Sequence, residues 1–312
     1  MARSSKKFRG SKTFIGMVIA LVVIASVTFL LTRPGGSDDN NSSSNELIPE
    51  STFSHSHGLA VDVQDASKLY IATHEGLLVL LNDANLYRVG KSNDDYMGFS
   101  PHPTDANIFY SSGHPSLGGN IGFQKSDDGG FTWNKVSDGI DGPVDFHVMA
   151  ISPVNPNLIY GWYQGSLQRS TDQGESWEIV NSDLMPIYLV ADSEDENVVY
   201  VATTEGQGVL VSRDKGVTWA PLSPELEGGA VSVIAVRPGD SKTQLAFSQT
   251  LDGLGKSTDS GKTWKKVNEE FNGEVLLQIA FSSLEPNIVY ALTHENKLYK
   301  STDAADTWIQ IR

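Results

Sequence analysis

The 312-residue chain contains no cysteine. That excludes disulfides, thiolate metal sites, a cysteine nucleophile and a lipid-modified amino-terminal cysteine. A domain of this size can build its core without bridges, so the absence does not argue against export. Arginine is scarce. Beyond residue 33 only Arg88, Arg169, Arg213, Arg237 and Arg312 remain. Positive charge as a whole is short there: without the six basic residues of segment 1–33, 17 Lys+Arg face 38 Asp+Glu, a net charge of −21. Such a surface is a poor partner for nucleic acid or anionic lipid headgroups and serves solubility outside the cell.

Long apolar runs are also absent, with one exception. Residues 13–32 are uncharged and mostly apolar, long enough to cross a bilayer as a helix, and five basic residues with no acidic one precede them. The positive-inside rule then keeps residues 1–12 cytoplasmic and exports the chain beyond Arg33. A cleaved signal peptide has a shorter apolar region and a small-residue cleavage site, so the expectation is an uncleaved, single-pass anchor in the cell membrane. Residues 33–50 are polar (PGGSDDNNSSSNELIPE from Pro34) and read as a disordered linker, with a folded domain over 51–312.

That domain repeats itself. Residues 126–133 (SDDGGFTW), 170–177 (STDQGESW), 212–219 (SRDKGVTW), 257–264 (STDSGKTW) and 301–308 (STDAADTW) begin 44, 42, 45 and 44 residues apart, and five of the six tryptophans close one of them. A fixed period in this range marks a solenoid, propeller or array. Serine and aspartate bond the backbone of a tight turn, glycine takes a positive φ without steric cost, and the aromatic starts the next strand. The aspartates therefore read as turn formers rather than catalysts. Ala305 replaces glycine in the last copy, which predicts a looser turn there. Each unit also has a small-residue strand followed by one ending on an aromatic (Tyr70, Tyr110, Tyr160, Tyr200, Phe247, Tyr290). A degenerate first copy at 81–87 (LNDANLY) makes six units and 24 strands, an all-β, six-bladed β-propeller of four-stranded blades.

The pattern S-x-D-x-G-x-[TS]-W resembles the Asp-box, or BNR, repeat. Over residues 57–312 the chain is similar to Asp-box β-propellers, a family that includes sialidases, some endoglucanases and sortilin-type receptors. The resemblance implies the fold; function has to come from the site.

Strand direction puts second-to-third and fourth-to-first connections on one face and the Asp-box turns on the other. Stepping back three residues from equivalent first-strand positions gives His57, Asp95, His147, Ile187, Ser232 and Leu277; stepping forward four from the aromatics gives His74, His114, Gln164, Thr204, Leu251 and His294. Histidines and carboxylates thus gather on blades one to three, with blade six closing beside blade one. His55 belongs with them, whereas His102 falls on the far face. Mixed His/carboxylate sets suit a divalent transition metal such as zinc or copper. The expected ligands are His55, His57, Asp95 and His147, with Met97 more at home in the core. Asp95, Asp145 and Glu75 are the candidate catalytic carboxylates, with Asp94, Asp141 and Glu295 nearby. His74, His114, His294, Trp162 and Tyr96 are candidate ligand contacts, Tyr163 joining the aromatic platform. The alternative is that these histidines only order turns at a funnel mouth.

Residues 55–58 (HSHG), 73–76 (THEG) and 113–115 (GHP) resemble segments of a group of bacterial surface propellers termed glycosyl-hydrolase-like or sialidase-like, which implies a carbohydrate-related role. Sialidase chemistry needs an arginine cluster on the substrate carboxylate, and no arginine maps to the histidine face. Three readings stay open: a site that binds or hydrolyses a carbohydrate-type ligand with or without a metal, a non-enzymatic metal-binding surface protein, and a scaffold for another protein.

Overall fold

The computed structural model describes residues 45–267 and 269–312. The expected basic tail, membrane anchor and most of the expected linker lie outside the described residues, among which no helix is long and apolar enough to cross a membrane. Six antiparallel sheets form one ring. Blade 1 holds β2 (Ser56–Val61), β3 (Lys68–Thr73), β4 (Gly76–Leu81) and β5 (Asn85–Val89). Blade 2 holds β6 (Asp95–Pro101), β7 (Phe109–His114), β8 (Phe123–Ser126) and β9 (Asn134–Ser137), and blade 3 holds β10 (Val148–Ile151), β11 (Ile159–Tyr163), β12 (Ser166–Ser170) and β13 (Glu178–Asn181). The remaining blades start on β14 (Pro186–Ala191), β18 (Val231–Arg237) and β22 (Leu276–Phe281) and keep the same order to β25 (Ile309–Gln310).

Two details depart from the sequence reading. Leu47–Glu50, at the end of the expected linker, is a strand, β1, paired antiparallel to β5 as a fifth, outermost strand of blade 1. There it caps an edge that would otherwise expose unpaired backbone. The second strands also run past their aromatics, β3 to Thr73 and β7 to His114, so the residue four positions on lies at or just beyond the strand end.

Each box is tied by a buried serine. Ser170 Oγ donates to Asp172 Oδ1 (2.7 Å) and accepts the N–H groups of Asp172 (3.2 Å) and Gly174 (2.7 Å). Asp172 accepts from Ser176 N and Oγ, and Trp177 Nε1 donates to Gly174 O. The tryptophan then packs onto the preceding blade, Trp177 standing edge-on to Phe123 at 5.2 Å. The last box keeps the same bonds: Ala305 N donates to Ser301 Oγ at 2.9 Å and Thr307 N to Asp303 Oδ1 at 2.8 Å. Its turn is not looser. Ala305 holds the left-handed conformation itself, at φ 74° and fully buried.

Six apolar clusters fill the six interfaces between neighbouring blades. The last joins Leu59, Ile71 and Leu80 of blade 1 to Ala280, Tyr290 and Leu298 of blade 6, so side chains, not a shared strand, close the ring. The degenerate first box contributes here. Asp83 accepts from Tyr290 Oη (2.8 Å) and Lys300 Nζ (2.6 Å) across the closure.

The boxes make two outcomes testable. At Gly174, φ is +87° and a Cβ would lie 2.0 Å from the Phe123 ring. Gly174→Ala is expected to cost about 2–4 kcal/mol in a denaturant titration, from left-handed strain and overpacking. Hydrogen bonds from Thr263, backbone then side chain, lower the Asp259 pKa to about 2, and Asp214 and Asp303 are held at about 2 by the same box bonds. These groups stabilise the fold above the unfolded value near 4, and that contribution is lost as pH falls through about 2. The melting temperature should drop over this window, and Asp259→Asn should flatten part of the drop.

Candidate functional site

The first strands surround the axis, and a cavity of about 230 Å³ opens there, with His57 and His147 among its lining residues. In blades 1, 4, 5 and 6 the pairing of first with second strand slips at one residue: His57, Ile187, Ser232 and Leu277. A bulge re-aims the side chain that occupies it. The same structural position is therefore an imidazole in blade 1 and apolar or hydroxylic in blades 4 to 6.

The described His/Asp side chains form two sets of three, each with ligand atoms within 4.8 Å of one another: His57, His74 and Asp95, and His114, Asp145 and His147. In the first, His74 Nδ1 lies 2.6 Å from Asp95 Oδ2. With that N–H donated, His74 Nε2 keeps its lone pair, 3.1 Å from His57 Nε2. His55 stands alongside, its ring 5.2 Å from His57 and 5.8 Å from His74. Burial, then the neighbouring His74 and His55, pushes the His57 pKa well below its ordinary value; burial and His74 also lower that of His55. Both stay neutral at pH 7, the form that ligates metals.

In the second set both His114 Nε2 (2.9 Å) and His147 Nε2 (2.7 Å) face one oxygen, Asp145 Oδ2. His114 Nδ1 donates to Gly119 O at 2.7 Å, so both of its nitrogens are engaged. Burial works against the Asp145 charge, but the hydrogen bonds from His114 and His147 prevail and hold its pKa well below the carboxylate range. The same pair, led by the bond to Asp145, raises His114 to about 9.

Local packing explains how Asp145 and His147 share a side. Phe146 between them is fully buried, donates its N–H to Ser112 Oγ (2.7 Å) and lies over Gly161, where a Cβ would come within 2.5 Å of its ring. Alternation then turns Asp145 and His147 the other way. Both triads share a further feature: Asp95 Oδ1 and Asp145 Oδ1 are buried without a hydrogen bond. An unsatisfied buried carboxylate oxygen costs free energy that a cation would offset.

Other predicted residues sit elsewhere. Tyr96 is 1% exposed and packs on Trp133 at 4.8 Å, in the core between blades 1 and 2, so it is not a ligand contact. Its neighbour Asp95 faces the site, and alternation along β6 turns Tyr96 away. Met97 is core. Trp162 is half-buried and donates Nε1–H to Leu184 O (3.0 Å), a wall of the blade 3–4 interface rather than an open platform. Glu75 is exposed on the β3–β4 turn, outside both triads. His294 accepts the Val275 N–H on Nδ1 (3.3 Å) and lies 3.3 Å from Glu295, beside the triads. His102 is bound within the β6–β7 turn. Among the described residues no arginine pairs with a triad member: Arg88 meets Glu50, Arg169 meets Glu178 and Arg237 meets Asp240.

The sequence reading missed the β7–β8 loop, which adds Gly119 O to His114, bonds Asn120 to Tyr163 Oη (2.9 Å) and presents Leu117, 98% exposed. Its length was the available signal, residues 115–122 against only residues 74–75 between β3 and β4.

Comparison with known proteins agrees with this architecture. The family model described as Sortilin, neurotensin receptor 3, matches residues 252–312. The xyloglucanase Xgh74A of Acetivibrio thermocellus is 28% identical over 164 residues, covering 38% of this chain and 19% of the relative. A xyloglucanase of Hypocrea jecorina is 25% identical over 276 residues, covering 81% and 32%. The structure of the GH74 xyloglucanase from Xanthomonas campestris superposes with a TM-score of 0.58 at 18% identity, covering 85% of this chain and 47% of that one. The chain spans less than half the length of each. Repeats and ring make it an Asp-box-type β-propeller, and its sequence is similar to parts of longer xyloglucanases.

The His114 contribution to stability is present in full below its ordinary pKa of 6.5 and lost as pH rises through about 9. Its NMR titration should therefore centre near 9, and Asp145→Asn should bring it down by more than one unit while flattening the melting profile between pH 7 and 10.

Proposed function

We propose that this chain is a membrane-tethered, extracytoplasmic propeller whose His/Asp face binds a carbohydrate-type ligand with the help of a divalent transition metal, zinc or copper. The observation that carries this reading is the pair of His/Asp triads, each with an orphaned buried carboxylate oxygen, on the face where His57 and His147 line the axial cavity. Imidazole and carboxylate donors match either metal. Similarity to xyloglucanases supports a polysaccharide-derived ligand.

A metal held there would supply Lewis acidity toward a ligand oxygen. The chain's own groups orient and bind rather than run two-carboxylate hydrolysis. Glycosidases of that kind need one carboxyl group kept protonated near neutral pH. Asp145 is held in the opposite direction by two imidazoles, while Asp95 Oδ2 is hydrogen-bonded to His74. The same engagement favours a second reading, a metal-binding surface protein without hydrolysis.

Elemental analysis of the purified full chain should find zinc or copper, and a His57→Ala/His147→Ala variant should have lost most of it. Calorimetric binding of a xyloglucan oligosaccharide should weaken at least tenfold in that variant and on chelation. A metal-free parent would remove the metal from the reading. Metal with no binding of any glycan tested leaves the metal-binding protein, and release of reducing ends by the parent would make it a hydrolase. Membrane residence is checked by fractionation, where the chain should resist carbonate extraction.

A further inference from the structure

We infer that the face holds two divalent transition-metal ions rather than one, as a two-cation centre with one ion in each triad. This rests on the reading that the face binds metal, and it concerns how many ions it takes and which residues hold each.

A single ion shared by His57, Asp95 and His147 is what residue spacing alone would place here. The side chains are grouped otherwise. Asp95 Oδ2 is committed to His74 at 2.6 Å and His147 Nε2 to Asp145 at 2.7 Å, and each triad gathers its ligand atoms within 4.8 Å without a member of the other. Donors of a four-coordinate zinc or copper site stand about 3.3–3.5 Å apart, because metal–ligand bonds are about 2.0–2.2 Å. Both sets reach that spacing by small side-chain rotations; one ion bound by all six donors would need both sets taken apart. In the second triad a cation would replace the two N–H groups that now face Asp145 Oδ2. In the first it would lie between His57 Nε2, His74 Nε2 and Asp95, with His55 close enough to serve as a fourth donor.

The buried, unbonded carboxylate oxygen occurs once per triad, Asp95 Oδ1 in one and Asp145 Oδ1 in the other. One ion confined to either triad would account for only one of them. The two sets are also joined. Asp95 of the first and His114 of the second are directly opposed partners across β6 and β7. Opposed antiparallel residues have Cβ atoms roughly 4.5–5.5 Å apart. His57 from one set and His147 from the other both line the axial cavity, so a ligand entering it can touch both ions. Each divalent ion with one carboxylate and neutral imidazoles keeps a net positive charge. The pair therefore suits a ligand offering two oxygens, such as a sugar diol or a uronic carboxylate.

The test is stoichiometry with zinc ion alone. The full chain is stripped with chelator, loaded with Zn2+, passed through a desalting column and assayed for bound metal, with Co2+ absorption as a second readout of ligand geometry. Two equivalents are expected for the parent, one each for His74→Ala and His114→Ala, and none for the double variant. His74→Gln and His114→Gln, with melting midpoints for all variants, separate lost ligation from lost folding. One equivalent in the parent, abolished by both single variants, would overturn the two-ion centre and leave a metal-binding face. Two equivalents retained in either single variant would overturn the assignment of that triad. No bound zinc in the parent would overturn this inference together with the reading beneath it.

Discussion

One buried hydroxyl in each of blades 2 to 6 holds the molecule in its form. In each of five boxes a serine Oγ, fully shielded from solvent, accepts the N–H groups two and four residues on and donates to the box aspartate. Those bonds turn the third strand back into the fourth and set the tryptophan against the preceding blade. Deleting such a group leaves buried N–H donors without partners, a cost of about 1–3 kcal/mol each. Because blades 2 to 6 are built on the same turn, their first strands arrive at the axis in the same pose, and blade 1 is set beside them by the contacts that close the ring. The site depends on that order: His57, Asp95 and His147 come from three neighbouring blades whose first strands run side by side at the axis.

The fold was legible in the sequence because its determinant is local and repeated five times. The 42–45 residue period fixes blade size, and the number of first strands fixes the ring at six. Stepping back three residues from each first strand even landed on the residues that become bulges, His57, Ile187, Ser232 and Leu277. What could not be read was the partition of the donors. Whether Asp95 serves His74 or His147 depends on the β6–β7 register and on Phe146 being pinned over Gly161, contacts between residues far apart in the chain. Tyr96 is a different case. Its place beside Asp95 on one strand required it to face away, so alternation alone carried that information.

The similarity to xyloglucanases and the chemistry of the face bear on different levels. The propeller scaffold is what this chain has in common with much longer xyloglucanases. The site departs from what carboxylate-pair hydrolysis asks. Both carboxylates near the axis are bound to imidazoles, and no described arginine reaches them to clamp a sugar acid. A propeller tolerates such divergence, because face loops change while the boxes on the opposite rim keep the blades in place.

Blade 1 shows how the ring reconciles symmetry with function. Its box is degenerate, and the aspartate that elsewhere would bond its own turn instead receives Tyr290 and Lys300 from blade 6. The same blade carries His55, His57 and His74, and its outer edge is covered by β1. The module least constrained by the repeat is thus the one that closes the ring, holds the described end nearest the expected membrane anchor and supplies three of the imidazoles. Identical blades would have put six like groups around the axis, where repulsion among charges or six buried apolar side chains would leave no selective site. Imidazole and carboxylate are confined to blades 1 to 3, whereas the equivalent positions of blades 4 to 6 are Ile187, Ser232 and Leu277, so the axial cavity meets His57 and His147 on one side and Ile187 with other blade 4 first-strand residues on another. Such a difference between sides of a narrow space is what would let a ring of similar parts orient the proposed ligand.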